Sequence, residues 1–61
     1  MNIKKKRTEA NLTQKDIADA FYVSQATVAK WETGEAKPRA DKLPDLAKIL
    51  GCTIDELFEE E

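Results

Sequence analysis

Leu12 to Gly34 reads LTQKDIADAFYVSQATVAKWETG, and this stretch decides the fold. It divides into two short amphipathic runs separated by Tyr22, Val23 and Ser24. In the first run Thr13 is a good helix N-cap and Asp16, in the first turn, suits the positive end of the helix dipole. Ile17, Ala18 and Phe21 fall at i, i+1 and i+4, one face of a helix expected over Gln14 to Phe21. In the second run Ser24 caps a helix over Gln25 to Thr33. Gly34 stands just past its end, where left-handed backbone is easiest for glycine. On a 100° wheel Val28 and Trp31 point inward, while Gln25, Ala26, Ala29, Lys30 and Thr33 form the opposite stripe. Trp31 is therefore read as core and not as a stacking platform.

Working outward, the amino-terminal segment predicts a helix from Asn2 or Ile3 to Ala10, with Asn2 as N-cap and Asn11 in the left-handed conformation that ends it. Pro38 marks an extended connector. A fourth helix beginning near Asp41 to Leu43 carries Leu43, Leu46, Ala47 and Leu50 at helical spacing and stops at Gly51. Pro44 is tolerable in its first turn, where the amide has no intrahelical partner. Thr53 to Glu56 is a capping box opening a last helix over Ile54 to Phe58, and Glu59 to Glu61 are expected to fray. β-branched residues never alternate in the manner of a strand. The chain is expected to be all-α: five short helices around one core of Ile3, Leu12, Ile17, Ala18, Phe21, Val23, Val28, Trp31, Leu43, Leu46, Ala47, Leu50, Ile54 and Leu57.

Sixty-one residues, 41% of them apolar, suffice for one small domain spanning 1–61. With one cysteine, Cys52, and no histidine, no internal disulfide can form and no zinc site is expected. No apolar run approaches the roughly 20 residues of a membrane span, and the basic start lacks the apolar segment of a signal peptide. A soluble protein in a reducing cytoplasm, without membrane contact, cofactor or metal, is the expectation. No enzyme is expected either: there is no histidine, no glycine-rich phosphate loop and no room for an enclosed site. For the same reason no small-molecule ligand is expected. The formal charge of −2 hides an asymmetry. Residues 1–39 carry +3 and residues 40–61 carry −5. Local positive potential, not total charge, is what a nucleic acid meets.

Two short helices joined by a tight turn are the layout of a helix-turn-helix, whose second helix can enter the major groove of DNA. The outward stripe offers suitable chemistry. Glutamine pairs with adenine, lysine donates to guanine, and alanine methyls meet thymine methyls while allowing close approach. Taken alone, the stripe also reads as an ordinary solvated helix face. Gln14, at the first position of its helix, and the free amides there could hold a phosphate, or Gln14 could simply be a good helix former. Lys4, Lys5, Lys6, Lys37 and Arg39 are further phosphate candidates that singly read as surface charges.

The ordered set Leu12-Thr13-Gln14, Ile17-Ala18, Val23-Ser24-Gln25, Thr27-Val28, Trp31-Glu32, Gly34, Lys37-Pro38, Leu46-Ala47, Leu50-Gly51 and Asp55 to Phe58 resembles the Cro/phage-repressor (Xre-type) helix-turn-helix family. The resemblance covers nearly the whole chain. It implies a compact five-helix lambda-repressor-like domain that binds double-stranded DNA, usually as a homodimer on a palindromic operator. It implies base contacts at Gln25, Ala26 and Lys30 with Thr27 and Ala29 nearby, phosphate contacts at Gln14, Thr33 and Lys37, and a structural ion pair of Arg7 with Glu32. The chain departs from the family pattern in three places. Tyr22 stands where glycine is usual, at a left-handed cost of about 1–2 kcal/mol. Lys6 stands at a usually apolar position, and Glu35 and Ala36 occupy a loop that is often basic. The function expected is a sequence-specific transcriptional regulator, a repressor before an activator, with dimer contacts from Ile54 and Phe58. With no room for a sensing domain, its control would come from its concentration, a partner or competition at the operator. The alternative is a protein-interaction module, such as an antitoxin or anti-repressor, on the same scaffold.

Overall fold

Five α-helices and one short 3₁₀ turn make up a computed structural model that describes residues 1–59. They are α1 (Ile3–Glu9), α2 (Gln14–Phe21), α3 (Gln25–Thr33), α4 (Leu43–Leu50) and α5 (Ile54–Phe58), with the 3₁₀ turn at Ala40–Lys42 leading into α4. The capping chemistry accounts for the boundaries. Thr13 accepts from the Asp16 amide while the Asp16 carboxylate accepts from the Thr13 amide, and Thr53 and Glu56 form the same reciprocal box. Ser24 accepts from the Thr27 amide to open α3, and Gly34, at φ 86°, closes it. Among the described residues there is no strand, and no helix is long and apolar enough to cross a membrane.

α2 and α3 pack on each other most extensively, and α1, α4 and α5 close the core around them. Ile3, Ile17, Val28, Leu46 and Leu57 are fully enclosed. Phe21 and Trp31 meet edge to face with ring centroids 6.0 Å apart. Leu12, Val23 and Leu43, expected in the core, are only half-buried; Leu12 and Val23 lie between helices and pack on the core from outside. Ile54 corrects the expected core list: it is 37% exposed, because α5 seats itself through Leu57 and leaves Ile54 at the rim. Pro38, expected only as a connector residue, is buried.

Asn2 holds the expected N-cap position, its carbonyl accepting from the Lys6 amide at 3.2 Å. Its side chain caps nothing on α1; its amide instead donates to the Leu57 carbonyl at 2.8 Å and its Nδ2 to the Glu56 carbonyl at 3.5 Å. The residue therefore satisfies the open carbonyls of α5 and binds the two ends of the chain together. Lys6 adds to that link, its Nζ lying 3.5 Å from Glu56 and 3.7 Å from Glu9 while its stem covers the core edge. Asn11 is left-handed as expected. Of the acidic tail, Glu59 leaves α5 in extended backbone, whereas the fraying expected at Glu60 and Glu61 falls outside the described residues.

The turn between α2 and α3 keeps its left-handed geometry with tyrosine in place. Tyr22 sits at φ 56°, ψ 40°, and the amides of Tyr22 and Val23 both return to the Ala18 carbonyl. The Tyr22 side chain is 96% exposed, so nothing in its packing offsets the backbone cost. Tyr22→Gly should raise stability by about 1 kcal/mol, net of the extra freedom glycine has when unfolded. Urea unfolding followed by circular dichroism checks this; an unchanged or lower midpoint would show that the tyrosine conformation carries no strain.

Candidate nucleic-acid interface

α3 presents its Gln25, Ala26, Lys30 and Thr33 side chains to solvent, with Ala29 half-buried between them. The two alanines leave the helix axis accessible, and Gln25 and Lys30 rise on either side of them. Near the end of the helix, Ala29, Lys30, Thr33 and Glu35 surround a shallow concavity of about 240 Å³. Glu35, outside the expected site residues, thus brings a carboxylate onto the same surface as Lys30. Its amide donates to the Thr33 hydroxyl, which in turn donates to the Lys30 carbonyl.

Thr27, expected near the base contacts, lies off this stripe. It is half-buried, its hydroxyl shares a 2.9 Å hydrogen bond with Ser24 Oγ, and it faces a cavity on the flank of α3. A residue two positions beyond Gln25 is turned about 200° from it on a helical wheel, which explains the separation.

Behind the exposed stripe lies a hydrogen-bonded network. Arg7 Nε of α1 donates to Glu32 Oε2 at 2.6 Å, its Nη2 reaches Glu32 Oε1 at 3.4 Å, and its Nη1 donates to the Leu12 carbonyl at 2.9 Å. The side chains are only 12% and 5% exposed. Gln14 Nε2, at the start of α2, donates to Glu32 Oε1 at 2.9 Å, and Gln25 Nε2 reaches Gln14 Oε1 at 3.4 Å. Gln14 is thus partly engaged inside the protein, and one of its two amide hydrogens is not used by these bonds. Burial would raise the Glu32 pKa, but the hydrogen bonds from Arg7 and Gln14, with the charges of Arg7 and Lys4, hold the carboxyl below its ordinary range.

The positive end of α2 is already occupied in part by the Asp16 carboxylate. The backbone and side-chain hydrogen bonds from Thr13 lower its pKa. Lys37, Arg39 and Lys42 stand exposed on the segment between α3 and α4. Lys37, Arg39 and Lys42 recur within six residues of sequence, a basic cluster that could have flagged Lys42 from the sequence. Cys52 is half-buried, and burial followed by the nearby Glu56 charge raises its thiol pKa, the opposite of an activated cysteine.

The chain matches the family model described as helix-turn-helix over residues 3–57. Among curated proteins, it is 42% identical over 55 residues to the HTH-type transcriptional activator BcrR of Enterococcus faecalis, a match covering 90% of this chain and 27% of that protein. It is 33% identical over 51 residues to the HTH-type transcriptional regulator DicA of Escherichia coli, covering 84% and 38% respectively. It is 42% identical over 40 residues to the 26 kDa repressor protein of Escherichia phage HK022, covering 66% and 17%. The chain therefore spans well under half the length of these relatives. No solved structure gives a significant match.

The buried ion pair generates a pH prediction. Glu32 has a lower pKa folded than unfolded, so its contribution is full above the unfolded value, near 4.5, and is lost as pH falls through the folded value. Glu32→Gln should be strongly destabilised at pH 7, and its deficit against the parent should shrink as the pH is lowered below 4.5. Arg7→Met, which leaves the carboxylate buried without its cation, should cost about 3–5 kcal/mol at pH 7. Urea midpoints across pH 3 to 7 (about that range) test both; a deficit independent of pH would remove Glu32 titration as a source of stability.

Proposed function

The chain belongs to the helix-turn-helix family of DNA-binding transcriptional regulators, and from that premise we propose that it reads operator DNA with α3 in the major groove. The observation that carries this reading is the α3 surface: Gln25 and Lys30 exposed beside two alanines, on a helix held from behind by the Arg7–Glu32 pair. Gln25 and Lys30 are the proposed readers of base edges, and Ala26 and Ala29 permit close approach and methyl contact. Thr27 shapes the start of the helix through Ser24. Gln14, Thr33 and Lys37 are assigned to phosphates, where they set register and affinity.

We further propose that the domain acts as a homodimer on a palindromic site, two copies of α3 lying about one DNA turn, or roughly 34 Å, apart. Ile54 and Phe58, 37% and 52% exposed and one helical turn apart on α5, are the proposed apolar contact. Repression by occupying a promoter is the favoured mode. The names of the relatives include an activator and a repressor, so the sign of regulation depends on where the site lies.

Selection from a random duplex library tests the reading. Enrichment of a two-fold symmetric motif by the protein, and its loss with Gln25→Ala/Lys30→Ala, is expected; each lost base contact should cost about 1–3 kcal/mol. Absence of any enriched sequence would transfer the weight to the protein-interaction reading. Phosphate contacts are tested separately. Lys37→Gln should weaken binding to all sequences alike and reduce the slope of log K against log salt by about 1. Glu35→Gln, which removes the carboxylate beside Lys30, should strengthen binding of any duplex, and fluorescence anisotropy at two salt concentrations would show it.

A further inference from the structure

On the flank of α3, away from the exposed stripe, lies a cavity of about 300 Å³ of whose lining the proposed DNA contacts use Lys37 alone. Phe21 and Trp31 form its buried floor, and Val23, Thr27 and Ala36 its half-buried walls. Lys37, Arg39 and Lys42 stand exposed at its rim. No carboxylate lines it. Arg39 has Asp41 at 3.8 Å, but both side chains are largely solvent-exposed, and such a pair holds little. Three cations around one apolar hollow are complementary to an anion that also carries an apolar body. The volume falls at the small end of the range of about 300–1,000 Å³ typical of small-molecule sites.

We propose that this cavity binds a small amphipathic carboxylate, its apolar chain or ring against Phe21 and Trp31 and its carboxylate among Lys37, Arg39 and Lys42. This proposal departs from the expectation, drawn from the sequence, that no small-molecule ligand binds. The hollow is created by how the α3–α4 segment folds back over α3, which no local pattern reveals. Occupancy also has a consequence that rests on the DNA-binding reading. Lys37 is proposed to meet a phosphate, so a carboxylate held there withdraws positive charge from the DNA-facing surface and weakens binding.

The chain has a single tryptophan, Trp31, and it lines the cavity, so its fluorescence reports occupancy without any label. Octanoate titrated into the full chain without DNA should give a saturable change in Trp31 emission. Octanol, with the same chain and no charge, should bind about tenfold more weakly or worse. Arg39→Gln/Lys42→Gln, both at exposed positions, should remove most of that preference for octanoate while leaving octanol unaffected. Ala36→Leu, which fills the hollow, should abolish the response to both. A missing saturable response, equal affinity for octanol, or undiminished octanoate binding in the charge variant would overturn the site.

The coupling is read separately, by adding saturating octanoate to the protein on a labelled duplex at low salt. A several-fold weaker affinity is expected, and an unchanged affinity would overturn the coupling. If the protein bound no duplex at all, the DNA-binding reading would fail while the fluorescence titration still decided the site.

Discussion

The Glu32 carboxylate sits almost wholly inside the protein, and a charge in that position can be kept only if its partners are held in place. Arg7 arrives from α1 and Gln14 from the first residue of α2, while Glu32 itself belongs to α3. The one carboxylate therefore requires three helices to converge. Arg7 completes the constraint by donating to the Leu12 carbonyl, which fixes the connection between α1 and α2. Replacing such a pair with well-packed apolar side chains is often no less stable, so its value here lies in geometry. A slip of α3 by one residue would leave a buried charge without partners.

The same network governs the exposed surface. Gln25 touches Gln14, and Gln14 is fastened to Glu32, so the first residue of the α3 stripe is oriented by the interior ion pair. At the other end of the fold, the charges near α5 serve a comparable purpose. Glu56 spends one oxygen on the Thr53 amide and another near Lys6, and Asn2 supplies donors to the carbonyls that end α5. Glu56, in the acidic half of the chain, is thus committed to holding helices. The backbone and side-chain hydrogen bonds from Thr13 and Thr53 lower the pKa of both capping carboxylates, Asp16 and Glu56.

How far the sequence discloses this architecture depends on whether a feature is local. The limits of α2, α3 and α5 are legible because caps and apolar spacing coincide at Thr13, Ser24 and Thr53. The stripe on α3 follows from the same spacing, and the Arg7–Glu32 pairing from family resemblance. Asn2 holds the N-cap position that its residue type suits, but its side chain forms no cap bond and turns its Nδ2 toward the Glu56 carbonyl of the docked α5. Ile54 looked like core because it is apolar and begins a helix, yet a five-residue helix seats only one large side chain deeply, and that is Leu57. The burial of Pro38 and the hollow beneath Lys42 arise where an irregular segment folds back, and periodicity carries no information there. Tyr22 is the opposite case. The sequence flags an energetic conflict, and the structure accepts it because the two amides that follow α2 both need the Ala18 carbonyl.

The distribution of charge bears on what kind of DNA reader the proposed function describes. Non-specific affinity rises with the number of phosphates neutralised. Here the positive end of α2 is shared with Asp16, and Glu35 stands beside Lys30 on the reading surface. Both reduce the attraction of any phosphate backbone, whatever its sequence. A contact between Gln25 and an adenine edge, or between Lys30 and a guanine edge, is unaffected by this as long as the helix can approach. The alanines at 26 and 29 leave space for that approach. Lowering the sequence-independent term weakens specific and non-specific complexes alike, so affinity for any duplex falls while the ratio between the two stays set by the base contacts. An acidic total charge then limits affinity and leaves discrimination to the base contacts of the proposed reading, with Glu35 beside Lys30 as one source of that limit.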